Sequence, residues 1–211
     1  MLSNVSLFSI FVPVAVAMPI FPRLTHPLKV LAILMVIAAF FELCNFYLYS
    51  HLKANQWVVN IYTILEMVGL VYICIVWKNE KWYKITALVL LGVFALSWIY
   101  YAFTSGIFSA FFTENLTQKS LSLTFLFGYL LIGLSVDDRI PVYHNYKFWI
   151  SAALLIYFSI SVVLWATRNL EIDKTTMGTY TWYIHSYTNI FVNLLVAYGF
   201  ICYYRKMKLY I

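Results

Sequence analysis

The chain of 211 residues is 64% hydrophobic and only 10% charged, with a mean hydropathy of +0.83. A soluble domain carries roughly 25% charged residues, so this composition excludes a soluble enzyme or nucleic-acid-binding protein and indicates an integral membrane protein. The net charge of +6 does not point to nucleic acid, because most basic residues lie in the connections between hydrophobic stretches.

Seven hydrophobic stretches are long enough to cross a hydrocarbon core of about 30 Å as helices, which takes about 20 residues each. In chain order they are residues 5–22, 29–50, 55–77, 83–103, 113–135, 147–167 and 180–203. No basic residue precedes the first stretch, so we expect a retained helix, bent at Pro13 or Pro19, and not a secretory signal. The pattern predicts an all-α, seven-transmembrane-helix bundle that forms a single domain over residues 1–211.

Basic residues are divided unequally between the two ends of the predicted helices. Ten lie in the connections after the first, third and fifth helices or in the C-terminal segment: Arg23, Lys29, Lys78, Lys81, Lys84, Arg139, Lys147, Arg205, Lys206 and Lys208. Four lie toward the other side: Lys53, Lys119, Arg168 and Lys174. This bias predicts a multi-pass protein of the plasma membrane, with its N-terminus outside and its C-terminus in the cytoplasm.

Three short segments recur in the same order in the two halves of the chain. The pairs are "SLFSIF" (6–11) with "SLTFLF" (122–127), "HPLK" (26–29) with "HNYK" (144–147), and "WVVNIYT" (57–63) with "WYIHSYT" (182–188). They predict parallel repeats over 5–77 and 113–204, joined by a linker helix at 83–103, with Asn60 as the counterpart of His185. Chance similarity between aromatic-rich helices is the alternative.

Polar side chains concentrate in the predicted outer half and midplane of helices two, three, five and seven. Ionisable groups in hydrocarbon cost roughly 2.5–3.5 kcal/mol or more and usually serve a function. Glu66 lies near the midplane, with Tyr62 one turn before it; its structural alternative is a neutral carboxyl bonded to Asn193. The predicted ligand-binding residues are Glu66, Asn193, Asn189, His185, Glu42, Tyr62, Asn45, Lys119 and Trp182. We expect them to line a cavity that opens to the outside and narrows toward Glu66.

Simpler roles exist for several of these side chains. Asn189 and Asn193 are suited to interhelical hydrogen bonds. Lys119 is suited to reaching the outer interface, or to pairing with Glu114 or Glu42.

No metal or cofactor is predicted. His51, His185 and Glu42 are the ligand types of a 2-His-1-carboxylate site, but no spacing among them requires one. Residues 180–203 contain no lysine, which excludes a retinal Schiff base on the last helix.

Two resemblances bear on the fold. The segments "NIYTILE", "IYFSIS" and "WYIHSYTNIFVNLL" resemble parts of a group of uncharacterised small bacterial seven-helix membrane proteins, which implies no activity. The 3+1+3 plan resembles that of the SWEET sugar facilitators and the PnuC vitamin transporters. That resemblance implies a binding site at Glu66, Asn189 and Asn193, but it is architectural, since the proline tetrad and PQ signature are missing.

Three functions are open at this point. The favoured one is a carrier that binds a small polar or cationic solute, with Glu66 as counter-ion or proton site. The second is a sensory or accessory signalling protein that passes a helix shift to a cytoplasmic partner. The third, less favoured, is an intramembrane enzyme that uses Glu42 or Glu66 with His185 as acid and base. The expected partners are the lipid bilayer, the solute, and a cytoplasmic protein or a second copy of the chain.

Overall fold

A computed structural model of the chain describes residues 2–51, 55–108, 111–135, 141–168 and 176–209, and the regular structure within these ranges is helical. The helices are α1 (Leu2–Ser9), α2 (Phe11–Ala17), α3 (His26–His51), α4 (Gln56–Trp77), α5 (Lys81–Thr104), α6 (Thr113–Ser135), α7 (Tyr146–Arg168) and α8 (Thr176–Leu209). Short 3-10 helices cover Met18–Arg23 and Val142–His144. The predicted all-α fold is confirmed.

The first span is bent, as its prolines predict. It consists of α1, α2 and the 3-10 helix Met18–Arg23, which together are called the N-terminal span below. The α-helix is interrupted at Ile10, three residues before Pro13, and changes to 3-10 winding directly before Pro19. Proline has no amide hydrogen to donate within a helix and its ring crowds the preceding turn, which accounts for both changes.

Among the described residues, six segments are long and apolar enough to cross a membrane, as expected of a multi-pass membrane protein. They are Val5–Arg23, His26–Leu48, Gln56–Trp77, Lys81–Thr104, Tyr146–Thr167 and Tyr183–Met207. A further long helix, α6, has 23 residues and is more polar than these six segments. Its polar residues Asn115, Lys119 and Ser122 are buried, whereas Leu121 and Ile132 are exposed. The helix therefore directs its polar face into the protein and its apolar face outward, which suits a lipid surrounding.

The long helices form a ring. The N-terminal span packs on α3 and α8, α3 packs on α4, α4 on α6, α6 on α7, and α7 on α8. Helix α5 packs against α4 and α6 and is the least buried of the six apolar spans. The ring thus consists of a first triad (N-terminal span, α3, α4) and a second triad (α6, α7, α8), with α5 at its edge.

The third helix of each triad packs closely on the second helix through a glycine. A Cβ atom on Gly69 of α4 would lie 2.6 Å from Leu34 Cδ1 of α3. A Cβ atom on Gly199 of α8 would lie 2.6 Å from Ile150 Cγ1 of α7. Carbon atoms in contact are about 3.5–4.0 Å apart, so both close approaches depend on the absence of a side chain.

Candidate functional site

A buried salt bridge joins the two triads. Lys119 of α6 donates a hydrogen bond from Nζ to Oε2 of Glu66 in α4. The hydroxyl of Tyr62, one helical turn before Glu66, donates to Oε1 at 3.3 Å. Glu66 is 8% exposed and Lys119 6% exposed, and the ammonium also lies 5.7 Å from the ring centroid of Phe158 in α7. Both carboxylate oxygens and the ammonium therefore have partners inside the bundle.

The partner of Lys119 differs from both glutamates that the sequence suggested. Glu114 lies five residues earlier on α6 and is exposed, while Glu42 belongs to α3, which packs on the N-terminal span and α4. Helix α4 packs directly on α6, so the carboxylate on its inner face is the one that the lysine reaches. Tyr62, one turn before Glu66 on the same helix face, contacts its carboxylate.

A second carboxyl group, on α3, lies within electrostatic range of this pair. Glu42 of α3 interacts electrostatically with Glu66, and Tyr157 of α7 interacts with both carboxyl groups. Glu42 forms no hydrogen bond or salt bridge with any residue that the structure describes. With every group ionised, the two glutamates and Lys119 carry one net negative charge.

Tyr157 and Phe158 were not among the predicted site residues. The sequence around them, "IYFSIS", offered only serines as polar candidates, and an aromatic residue in an apolar helix is not by itself a signal of function. Their role follows from the packing of α7 against α6, which brings Phe158 to Lys119.

Part of the polar column on α8 extends from this cluster. Asn189 Nδ2 lies 3.4 Å from His185 Nε2, one turn apart on the helix. The His185 ring lies 6.3 Å from the ring of Tyr157, centroid to centroid. His185 and Asn189 therefore continue the polar surface from Tyr157 toward the beginning of α8. The side chain of Trp182 lies outside the described residues.

Asn193, the last member of that column, belongs to a different contact. Its Nδ2 donates a hydrogen bond of 2.8 Å to Ser9 Oγ, and Ser9 in turn donates to the backbone carbonyl of Ser6 at 2.6 Å. Asn193 therefore bonds to the N-terminal span and not to Glu66, whose carboxylate oxygens bond to Lys119 and Tyr62. Helix α8 packs between the N-terminal span and α7, and α4 is not one of its main neighbours.

Two further asparagines have local structural roles. Asn45, predicted to accompany Glu42, accepts a hydrogen bond from Asn55 directly before α4. Asn60, the proposed counterpart of His185, donates from Nδ2 to the backbone carbonyl of Ile107 at 3.0 Å. Asn60 thereby holds the connection between α5 and α6, and it is buried away from the column.

Metal ligation has no support from the arrangement of donors. Among the described residues, no three His, Cys, Asp or Glu side chains lie close enough to hold an ion. His51 instead stacks on Tyr47, with Nδ1 2.9 Å from the carbonyl oxygen of that residue.

Two of the concave regions on the described surface have linings that do not include Glu66. One, of about 700 Å³, lies between the end of the N-terminal span and α8. The other, of about 380 Å³, lies between α3 and α4 and is lined by Phe40, Leu43, Cys44, Tyr47, Leu48 and Trp57. In this conformation Lys119 and Tyr62 occupy the positions next to the Glu66 carboxylate.

Comparison with known proteins gives no match among family models, curated proteins or solved structures. The function is therefore inferred from the charges and contacts of this chain alone.

Proposed function

We propose that this membrane protein is a carrier for a small monovalent cation, such as an organic ammonium compound, and that Glu66 and Glu42 bind it. The observation that carries the proposal is the buried Glu66–Lys119 pair together with the electrostatic interaction between Glu66 and Glu42, a carboxyl group with no hydrogen-bond or salt-bridge partner among the described residues. In the proposed orientation the N-terminus is outside, and the solute enters along His185 and Asn189.

Stability alone does not explain a buried ion pair. Replacing such a pair by well-packed apolar side chains is often neutral or stabilising by about 1–4 kcal/mol. Ionisable residues inside membrane spans instead mark solute or proton pathways. Glu66 is 8% exposed and Lys119 6% exposed. A role in binding a solute or proton therefore explains this buried pair better than a contribution to stability does.

The charge of the cluster favours a cation as the ligand. Two carboxylates and one ammonium leave one negative charge, which a single monovalent cation neutralises. When no solute is bound, the Lys119 ammonium binds the Glu66 carboxylate, so this carboxylate is not left buried without a partner. An incoming ammonium group can take over that contact, assisted by Glu42 and by the aromatic rings of Tyr62 and Tyr157.

The order of the helices supports alternating access between the two triads. An axis along the membrane normal that relates two parallel three-helix repeats puts equivalent helices at equivalent places in a ring. The observed order of first, second, third, fifth, sixth and seventh helices is compatible with such an axis. The cation cluster lies at the contact between the third and fifth helices. Relative movement of the triads would therefore open and close the site without unfolding either triad.

Uptake by proteoliposomes tests the proposal. Purified protein should take up a labelled small organic cation, and uptake should compete with other monovalent cations but not with neutral sugars or anions. Glu42→Gln removes a charge without breaking a hydrogen bond, and we expect it to lower uptake about tenfold or more, as expected for the loss of a charge contact that binds the solute. The double variant Glu66→Gln/Lys119→Met should abolish uptake.

The exposed carboxylate of Glu114 provides the matched control, since it lies on the same helix as Lys119 but outside the cluster. Glu114→Gln should leave uptake unchanged. Unaltered uptake by Glu42→Gln and by the double variant, with both proteins folded, would contradict the proposal. Binding of a ligand without any flux would support the sensory function instead.

A further inference from the structure

The larger of the two concave regions described above is separate from the proposed cation site and has a different lining. It is a groove of about 700 Å³ between the N-terminal span and α8. Ala15, Val16 and Pro19 line one side, Ile201 and Tyr204 line the other, and Arg23 lies at its end. The groove is thus apolar along its length and basic at one end.

The groove results from the change in winding of the first span. Pro19 and Pro22 prevent α-helical hydrogen bonding, and the segment Met18–Arg23 adopts the tighter 3-10 form. The Tyr203 hydroxyl donates to the backbone carbonyl of Arg23 at 2.9 Å, which fixes the end of this segment to α8. The walls are therefore held in place on both sides.

Two arginines lie at or near the end of the groove. Arg205 lies one turn beyond Ile201 on the same face of α8. Neither Arg23 nor Arg205 forms a salt bridge or side-chain hydrogen bond with any residue that the structure describes. Residues 11–23 and 196–211 contain no acidic residue, so no acidic side chain of either segment neutralises the two guanidinium groups.

We propose that this groove is a binding site for an acidic phospholipid, with the phosphate between Arg23 and Arg205 and one acyl chain along the apolar walls. Guanidinium groups bind phosphate oxygens through two parallel hydrogen bonds, which favours a phosphate headgroup. Both walls belong to membrane-spanning segments, Val5–Arg23 and Tyr183–Met207, so the apolar part of the groove faces acyl chains. The arginines lie at the ends of these spans, at the depth of the headgroups.

Native mass spectrometry of the full chain in detergent tests this site. Phosphatidylglycerol and phosphatidylcholine with identical acyl chains are titrated separately, and retained lipids are counted. We expect one phosphatidylglycerol to bind about fivefold or more tightly than phosphatidylcholine, with Arg23→Gln and Arg205→Gln each lowering that affinity about fivefold, as expected for one basic residue near a lipid phosphate. Equal retention of the two lipids by the unmodified chain would overturn the proposal.

Two variants separate the groove from general surface charge. Lys84 lies at the same end of the bundle but donates to Asn79 at 2.6 Å, away from the groove. Lys84→Gln should leave phosphatidylglycerol binding unchanged, and an effect as large as that of Arg23→Gln would overturn a specific site. Ala15→Trp fills the groove from an exposed position and should weaken binding of the lipid.

Glycerol 3-phosphate distinguishes a lipid from a free phosphate ligand, because it offers the headgroup chemistry without acyl chains. It should compete poorly with phosphatidylglycerol. Competition at equal concentration, together with normal binding by Ala15→Trp, would show that the groove binds phosphate alone and would overturn the lipid assignment.

Discussion

The two triads meet at two corresponding places in the ring, and the side chains that form these two contacts differ in charge. Where α4 meets α6, a charged pair, Glu66 with Lys119, joins the third helix of one triad to the first helix of the other. Where α8 meets the N-terminal span, a neutral hydrogen bond from Asn193 to Ser9 does the same. A neutral bond inside a membrane protein contributes about 0.6–2 kcal/mol, whereas separating a buried ion pair leaves two uncompensated charges. In the proposed carrier, the first contact is therefore the one that requires a replacement cation to open.

The largest expected effect is on the charged contact. Lys119→Met leaves Glu66 buried beside Glu42 without a cation, and we expect a loss of about 3–5 kcal/mol in the free energy of unfolding, as for other broken buried pairs. The double variant Glu66→Gln/Lys119→Met should recover most of that loss, because neither member of the pair is then left charged without the other. Unfolding in mixed detergent measures both. A double variant as unstable as Lys119→Met would contradict this account of the pair.

Substitution at the neutral contact between Asn193 and Ser9 should lower the free energy of unfolding less than substitution at the charged contact does. Ser9→Ala removes the acceptor of the Asn193 amide, and we expect a loss of about 0.6–2 kcal/mol by the same unfolding measurement. Ser120→Ala is the matched control, since that buried hydroxyl donates to the backbone carbonyl of Leu116 in its own helix, at 2.8 Å. If Ser9→Ala cost more than Lys119→Met, the contrast between the two contacts would be wrong.

The smallest expected effect on stability is that of removing a salt bridge at the surface. Lys78 Nζ lies 2.9 Å from Glu80 Oε1 in the connection between α4 and α5, and the hydrogen bond from Lys78 lowers the pKa of Glu80 below its ordinary value of 4.5. A lowered pKa in the folded state means that this contribution to stability is complete above pH 4.5 and is lost as the pH falls through the lowered value.

Glu80→Gln should therefore flatten the decrease in unfolding midpoint between neutral and acidic pH. The change should be small, because exposed ion pairs contribute little, and should shrink further at high salt. An unchanged pH dependence in Glu80→Gln would show that the pair does not contribute to folding.

Much of the helical structure is local and could be predicted from the sequence. Residues 113–135 were predicted as a helix and α6 covers that range, because its apolar outer face and length are sufficient. Helix α8 is longer than predicted, Thr176–Leu209 against 180–203, since aromatic and basic flanks continue a helix without adding to an apolar run. The contact of Tyr62 with Glu66 follows from i,i+4 spacing alone.

The partners across helices were decided by tertiary structure. The helical periodicity of the sequence predicts which face of a helix carries Lys119 or Asn193, but not which other helix packs against that face. The ring order places α4 beside α6 and α8 beside the N-terminal span, so Lys119 binds Glu66 and Asn193 binds Ser9. The sequence by itself thus determined the helices and their polar faces, because these depend on neighbours along the chain. The assembly of those faces into a charged cluster depended on packing between helices distant in sequence.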